Sequence, residues 1–467
     1  MKTKSVLSSW LERDGRRLDC NPYMSGALEA KVLLEGLRAR KERLVDLTDG
    51  YKGGIYNGPQ FKRNYVDSPE HGVPFLTGGD VLSADASRLP LLSRRDASSP
   101  KLNYLRLEPG MTIISCSGSI GRMSYVRSDM AGIWSSQDVM KVVPDAEKIP
   151  PGYLYAYLSS KFGVPIVVGG TYGAIIQHIE PEHIANLPVP RLGRDIEQRA
   201  HDLVTRAATA RSEADELFAK ADALFIELLS LPKPKMQTEY GSPYISSSSS
   251  SQFIRRGDGY YYAPLNMDAR QAFDSATTKM TVGEVAEVFI PGIFKRQYAS
   301  DPAYGVPYIT GADVFQLAPT TDRYLLKRVA NNNELILRKG MVVIQEAGQL
   351  GGLIGRSVLV GDHLDGFACS NNMVRVTATN EADTGFLFAV LSSIYGVRLI
   401  SRESAGSSIP HIEAGRVRAL SIPWPDENVR VRIGSLVMNA QRLRDEAALA
   451  ERDARALVES ILEQGGN

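Results

Sequence analysis

GVPFLTGGDVL at residues 72–82 returns as GVPYITGADVF at residues 305–315, a displacement of 233 residues that decides the architecture. The same displacement relates FKRNY at 61–65 to FKRQY at 294–298 and GYLYAYLSSKFG at 152–163 to GFLFAVLSSIYG at 385–396. It also relates HIE at 178–180 to HIE at 411–413. An offset held across so many segments marks an internal repeat, which sets the whole fold before any local motif is weighed. Where it slips, as from Pro109-Gly110-Met111 to Lys339-Gly340-Met341 and from Gly121-Arg122 to Gly355-Arg356, loop insertions account for it. The chain reads as a tandem duplication.

Each copy opens with short apolar runs bounded by Gly, Pro, Asn and Asp, the residues that punctuate turns. The expected strands are 74–76, 112–115 and 139–143 in the first copy, and 307–309, 341–344 and 373–376 in the second. Leu154, Tyr157 and Leu158, with Leu387, Val390 and Leu391 in the second copy, have helical spacing. A compact α+β domain fits each copy.

Both copies then end in a long stretch of another kind. Ile196, Ala200, Leu203, Ala207, Ala210, Ala214, Leu217, Ala221, Leu224 and Leu228 alternate spacings of four and three, and so do Val429, Ile433, Leu436, Ala440, Leu443, Ala447, Ala450, Ala454, Leu457 and Ile461. These are heptad seams. Laid antiparallel, they put large residues on small ones, as with Ala200 on Leu457 and Leu217 on Ala440; a parallel pairing stacks Leu on Leu and Ala on Ala. The expectation is therefore two α+β domains, each followed by a long helix, with the helices paired as an antiparallel coiled coil. The boundaries read as domain one with an N-terminal helical segment at 1–194, a central helix at 195–231 and a Pro/Ser-rich linker at 232–252. Domain two follows at 253–427 and the last helix at 428–463. Seam leucines are Leu203, Leu217, Leu224, Leu436, Leu443 and Leu457, while apolar residues off the seam, Val204, Phe218, Phe225, Val437 and Val458, are candidates for a subunit interface.

The composition is that of a globular protein: 467 residues, 43% hydrophobic and 23% charged. Cys20, Cys116 and Cys369 are too few and too far apart for a disulfide framework. No signal peptide and no 18-residue apolar run are read, so a cytoplasmic location is expected.

A formal charge of +1 decides nothing about partners, but its distribution does. Residues 195–230 carry eight acidic side chains against four basic ones, so the central helix should not lie on phosphates. The globular copies hold basic pairs at matched positions, Lys62-Arg63 with Lys295-Arg296 and Arg94-Arg95 with Lys327-Arg328. These eight are the candidate phosphate contacts. At about 1.5 Å per residue, 196–228 would span about 50 Å. Two domains spaced by such a helix could meet two sites on one duplex, whose grooves recur every ~34–36 Å. Polar residues in diverged segments are the candidates for reading bases: Gln137, Tyr172 and Gln177 in the first copy, and Asn331, Asn332, Asn333, Gln349, Asn371, Asn372, Ser407 and Ser408 in the second.

This duplicated pattern resembles the specificity subunits of type I restriction-modification systems. The likeness covers nearly the whole chain and rests on GVPFLTGGD, LEPGM with SGSIGR, SSQD, the LPVP run before Glu197-Gln198, and RLDCNPY at 17–23. The second copy departs from it, with Glu346-Ala347-Gly348-Gln349 in place of SCSGS and Arg430-Val431 in place of Glu197-Gln198. The resemblance implies two target-recognition domains that read a split, asymmetric DNA sequence. It implies partners too: double-stranded DNA, two modification subunits that methylate adenine, and restriction subunits that can join them to cleave DNA. S-adenosylmethionine, ATP and Mg would belong to those partners, and this chain would hold no cofactor, no metal and no catalytic residue.

The residues fit that division. There is no Gly-Lys dipeptide, hence no phosphate-binding loop of the Gly-x-x-x-x-Gly-Lys type. Asn21-Pro22-Tyr23 lacks one proline of the amino-methyltransferase motif, and Asp145, Glu147 and Lys148 fall in one turn-like stretch without nuclease spacing. His178 and His183 have no third ligand nearby in sequence. The rival classes are a coiled-coil adaptor whose ends bind proteins, and a divergent two-domain nuclease or methyltransferase.

Overall fold

The computed structural model describes residues 3–13, 21–86, 89–169, 178–235, 245–254, 256–406 and 408–465. Linker residues 236–244 and the start of RLDCNPY lie outside the described residues. The fold is α+β and duplicated. The chain forms two compact units, Met1–Ser212 with Glu446–Asn467, and Glu213–Asp445. This division differs from the sequence boundaries because each long helix, Arg194–Leu228 and Glu427–Glu463, contributes one part to each unit.

The first unit contains β1 Lys41–Arg43, β2 Ile55–Tyr56, β3 Tyr65–Val66, β4 Gly72–Leu76, β5 Leu91–Ser93, β6 Thr112–Ser115, β7 Met123–Tyr125, β8 Trp134–Ser135, β9 Val139–Val142 and β10 Pro188–Pro190. One sheet runs β2-β9-β6-β7 and is antiparallel; the other runs β3-β5-β4-β8, with β4 and β8 parallel. β1 and β10 pair as a ribbon just before the central helix, Lys41 opposite Pro190. All side chains of β6 and β9 are buried, because both sheet faces are covered. Successive strand residues point to opposite faces. Ile114, Met140 and Val142 therefore enter the core shared with helix Pro151–Leu158, whereas Ile113 and Val139 enter a second core with Leu76, Val81 and Leu107. Helix Pro151–Leu158 is buried on every side, and its tyrosine hydroxyls are satisfied: Tyr153 and Tyr157 donate to the Pro190 and Pro188 carbonyls, and Tyr155 to Glu451.

The second unit repeats the plan with β11 Lys279–Thr281, β12 Ala286–Phe289, β13 Gly305–Ile309, β14 Tyr324–Leu326, β15 Val342–Gln345, β16 Ser357–Leu359, β17 Ala368–Cys369, β18 Met373–Ala378 and β19 Ser421–Pro423. Its sheets run β12-β18-β15-β16 and β14-β13-β17, and β11 pairs with β19. The expected strands are present at these places, with ends that agree to within two residues. A single bridge, Tyr298 to Leu325, stands where the first unit has β3.

The long helices are antiparallel. In the first unit, Ile196, Ala200, Leu203 and Val204 share a core with Ala454, Leu457, Val458 and Ile461. In the second, Phe218, Ala221, Leu224 and Phe225 share one with Val429, Ile433, Leu436 and Val437. The seam leucines Leu203, Leu217, Leu224, Leu436, Leu443 and Leu457 are half-buried. Val204, Phe225, Val437 and Val458 are buried outright, since the position next to the seam faces the unit's own globular body. These four are thus core residues and not an outward docking surface. Phe218 is half-buried, with the Arg444 guanidinium 4.3 Å from its ring centroid and Phe388 at 5.8 Å. It belongs to the same correction. Glu197 marks the start of the central helix: its carboxylate accepts from the Leu192 N–H at 2.9 Å and pairs with Arg191 at 2.8 Å. At the other end Ser230 takes φ +50°, and the N–H groups of Ser230 and Leu231 close on the carbonyls of Glu227 and Ile226, a Schellman stop ahead of Pro232.

Two features differ between the copies. In the first unit Glu451 is buried and meets Arg211, Tyr155 and Arg455, the last at 2.9 Å. At the matching places of the second stand Phe218, Arg444 and Phe388, so a carboxylate is replaced by an aromatic ring under the same arginine. In the second unit Gly385 of helix Glu381–Ser392 lies against Gly434; a Cβ on Gly385 would fall 2.4 Å from the Gly434 carbonyl oxygen. The first unit places Gly152 against His201, whose Nδ1 accepts from the Gly152 N–H at 3.0 Å. Among the described residues no single helix is long and apolar enough to cross a membrane.

Candidate nucleic-acid interface

In the first copy three residues, 136–138, join β8 to β9. The Ser136 N–H donates to the Leu76 carbonyl at 2.8 Å, the Ser136 hydroxyl accepts from the Asp138 N–H at 3.2 Å, and the Asp138 carbonyl accepts from the Cys116 N–H at 2.9 Å. In the second copy residues 370–372 join β17 to β18. Ser370 donates to Ile309 at 3.2 Å, its hydroxyl accepts from the Asn372 N–H at 3.3 Å, and the Asn372 carbonyl accepts from the Glu346 N–H at 3.1 Å. The same turn is built twice. Its two central residues are Gln137-Asp138 in one copy and Asn371-Asn372 in the other.

Beside each turn stands a second repeated one. Thr77 gives its N–H and hydroxyl to Asp80 at 3.0 and 2.6 Å, as Thr310 does to Asp313 at 2.8 and 2.7 Å. The loops after β6 and β15 are tied down by the recurring His-Ile-Glu: Ser117 bridges His178, and Ala347 bridges His411. Ile179 and Ile412 are buried behind those bridges, so the repeated histidine marks a fold contact. Gly348 also donates to the Pro410 carbonyl at 3.2 Å, which brings the loops carrying Gln349 and Ser408 together.

The basic residues divide. Lys62, Arg95, Lys295 and Lys327 are exposed, as a phosphate contact requires. Arg63 donates to the Gln137 amide oxygen at 3.1 Å and Asp138 at 3.5 Å while lying over the Phe75 ring, so it steadies the candidate reading turn. In the second copy Tyr308 replaces Phe75, and its hydroxyl takes Arg296 at 3.2 Å. Arg328 donates to Gln297 at 3.1 Å. Arg94 donates to the carbonyls of Pro69, Glu70 and Gly72 at 3.2, 3.4 and 3.0 Å, so its guanidinium is engaged in closing its own loop.

Among the candidates for reading bases, Asn331, Asn332, Gln349, Asn372 and Ser408 are exposed and Gln137 and Asn371 half-buried. Asn333 instead donates to the Val329 carbonyl at 2.8 Å and closes helix Lys327–Asn332. Tyr172, Gln177 and Ser407 lie outside the described residues. Asn331 and Asn332 sit with Lys327 and Arg328 on that short helix.

Three side chains at this place escaped sequence reading. Asp138 completes the turn tip. Lys141 and Arg375 are buried directly beneath the two turns, and their signal was a charge set between apolar residues, Met140 and Val142 or Val374 and Val376, at the same place in both repeats. Cys116 and Cys369 are buried nearby, and burial pushes both thiols up to about 12, so they remain protonated and are poor nucleophiles. Among the described residues no three His, Cys, Asp or Glu side chains converge as a metal site.

One scaffold thus presents two different polar tips, Gln137-Asp138 and Asn371-Asn372. Residues 275–439 match the family described as Type I restriction modification DNA specificity domain. The match lies within the second copy and the helix that follows it, and the internal repeat relates the first copy to the matched one. No curated protein matches. The chain is similar, at 13% identity and a TM-score of 0.36, to the S subunit of a type I restriction-modification system from M. genitalium, over 92% of this chain and 96% of that one. It is also similar to the HsdS subunit from Thermoanaerobacter tengcongensis, at 13% identity and a TM-score of 0.27 over 91% and 96% of the two chains.

Proposed function

We propose that this chain is the non-catalytic, DNA-reading subunit of a type I restriction-modification complex, each copy reading one part of a split, asymmetric target. The observation that carries this reading is the turn built twice on the same hydrogen bonds, with Gln137-Asp138 at one tip and Asn371-Asn372 at the other. Asn and Gln can pair bidentately with adenine. Exposed Lys62, Arg95, Lys295 and Lys327 would hold phosphates, with Arg63, Arg296 and Arg328 behind them. Modification subunits would use S-adenosylmethionine to methylate adenine, and restriction subunits, with ATP and Mg, would join them in the cytoplasm. Their docking surface would be the exposed faces of the long helices, given that Val204, Phe225, Val437 and Val458 are buried.

Methylation-site sequencing with the assembled complex tests the assignment. Lys62→Ala is expected to weaken modification at all sites alike and to lower the salt dependence of binding by about one ion. Asn372→Ala is expected to relax base choice in one half-site only, by about 1–3 kcal/mol of discrimination. An unchanged bipartite sequence with Asn372→Ala, or altered base choice with Lys62→Ala, would refute this division of roles.

A further inference from the structure

Lys141 and Arg375 are related by the repeat and occupy one register. Lys141 on β9 lies opposite Ile113 on β6, and Arg375 on β18 lies opposite Val343 on β15. Each therefore projects to the sheet face whose core holds Ile113 and Val139, or Val343 and Met373. Both are fully buried. Among the described residues neither has a carboxylate within ion-pair distance; their hydrogen-bond partners are main-chain carbonyls, and Lys141 also lies 5.9 Å from the Tyr56 ring centroid. Lys141 Nζ donates to Ser136 at 3.4 Å and Val139 at 2.8 Å. Arg375 donates to Ser370 at 3.4 Å and Met373 at 3.0 Å, the corresponding two carbonyls, and also to Cys369 at 3.3 Å and Leu335 at 3.4 Å.

An uncompensated buried cation is costly, and burial pushes the Lys141 ammonium down to about 7 and lowers Arg375 as well. A purely structural site would be filled at less cost by an apolar residue, as the flanking positions are. What a cation supplies is several N–H donors at one point, which can hold the carbonyls on both sides of a tight turn inward. The two residues between those carbonyls are then fixed at the tip.

Resting on the DNA-reading function proposed above, we infer that Lys141 and Arg375 are positioning residues for specificity: each clamps one reading turn from beneath and sets the aim of Gln137-Asp138 or Asn371-Asn372. Neither touches DNA. Each acts on its own copy, so the loss of either one affects one half of the target.

The test selects from a duplex DNA pool randomised in two blocks, using the full chain in complex with its modification subunit, and sequences the bound fraction. Lys141→Met is expected to flatten base preference in one block by roughly tenfold or more, the scale of one lost bidentate contact. The other block and the salt dependence of binding should stay as they are. Arg375→Met should do the same to the opposite block, and Lys141→Arg should restore selection. If a methionine variant fails to fold, Lys141→Gln and Arg375→Lys, which keep polarity but offer fewer donors, should give smaller losses in the same blocks. Folded variants that keep both preferences, or that lose both equally, overturn the clamp while leaving the DNA-reading function standing. A wild-type complex that selects no sequence overturns that function, and the clamp with it.

Discussion

Glu451→Ala is expected to destabilise the first unit by about 3–5 kcal/mol, because it strands the Arg211 and Arg455 guanidiniums without their carboxylate in a buried site. The second unit indicates the remedy. There, Phe218 stands where Glu451 does and Phe388 where Tyr155 does, and Arg444 lies over the Phe218 ring while pairing with Asp215 at 2.8 Å, where the first unit has Ala448. Glu451→Phe and Tyr155→Phe combined with Ala448→Asp, which gives Arg211 the carboxylate that Asp215 gives Arg444, should therefore recover more than half of the loss, since the guanidinium keeps an ion pair while the rest of the cluster becomes apolar. Denaturant unfolding followed by Trp134 for the first unit and Trp424 for the second separates the two transitions. Equal losses for the single and the combined variant would show that the cluster is not the source of the stability. The pH dependence has a definite sign. Burial by itself would raise the Glu451 carboxyl, but Arg211, Arg455 and the Tyr155 hydroxyl override it and hold it at about 2. A carboxyl depressed in the folded state adds stability above its unfolded pKa of about 4.3. That contribution fades as pH falls from there towards 2, and Glu451→Ala should flatten this acid limb.

Gly385→Ala is expected to cost the second unit about 1–3 kcal/mol or more through overpacking. In an open helix the same change would stabilise by about 1 kcal/mol. The sign is set by the neighbour. The new methyl group would meet the main chain of Gly434, which cannot rotate away, and the reciprocal Gly434→Ala would meet the Ala382 carbonyl at 2.3 Å. Either variant unfolding at higher denaturant than wild type would contradict the close crossing.

The duplication, the strands and the antiparallel helices were legible in the sequence because each leaves a periodic trace: one offset of 233, runs of apolar residues, and a seam of alternating fours and threes. The seam also misled. It marks one face of a helix, whereas these helices bury two, so Val204, Phe225, Val437 and Val458 read as free apolar positions while they fill the cores of the units. The site was half legible. Gln137, Asn371 and Asn372 stand at the repeated turn, but no pattern in the sequence assigns Arg94 to its own loop or Asn333 to the end of its helix. Those roles depend on which carbonyl lies within reach, which only the folded chain decides. Lys141 and Arg375 left a trace that went unread, a cation set between apolar residues at one place in two strands.

The loops after β7 and β16 meet the long helices at matching positions with different chemistry. In the first unit the Ser212 hydroxyl donates to Asp129; in the second Asp445 holds His363 at 2.5 Å. Were the globular bodies exchanged like cassettes, the two grafts would not be equivalent. A second-copy body in the first position would bring a histidine to a serine, a pairing a hydroxyl tolerates. A first-copy body in the second position would bring Asp129, already paired with Arg127 at 2.7 Å, to Asp445, so that two carboxylates share one guanidinium where a histidine now stands. The repeat has thus acquired a polarity, and a reshuffled half is expected to fit best when the helix residue travels with its loop.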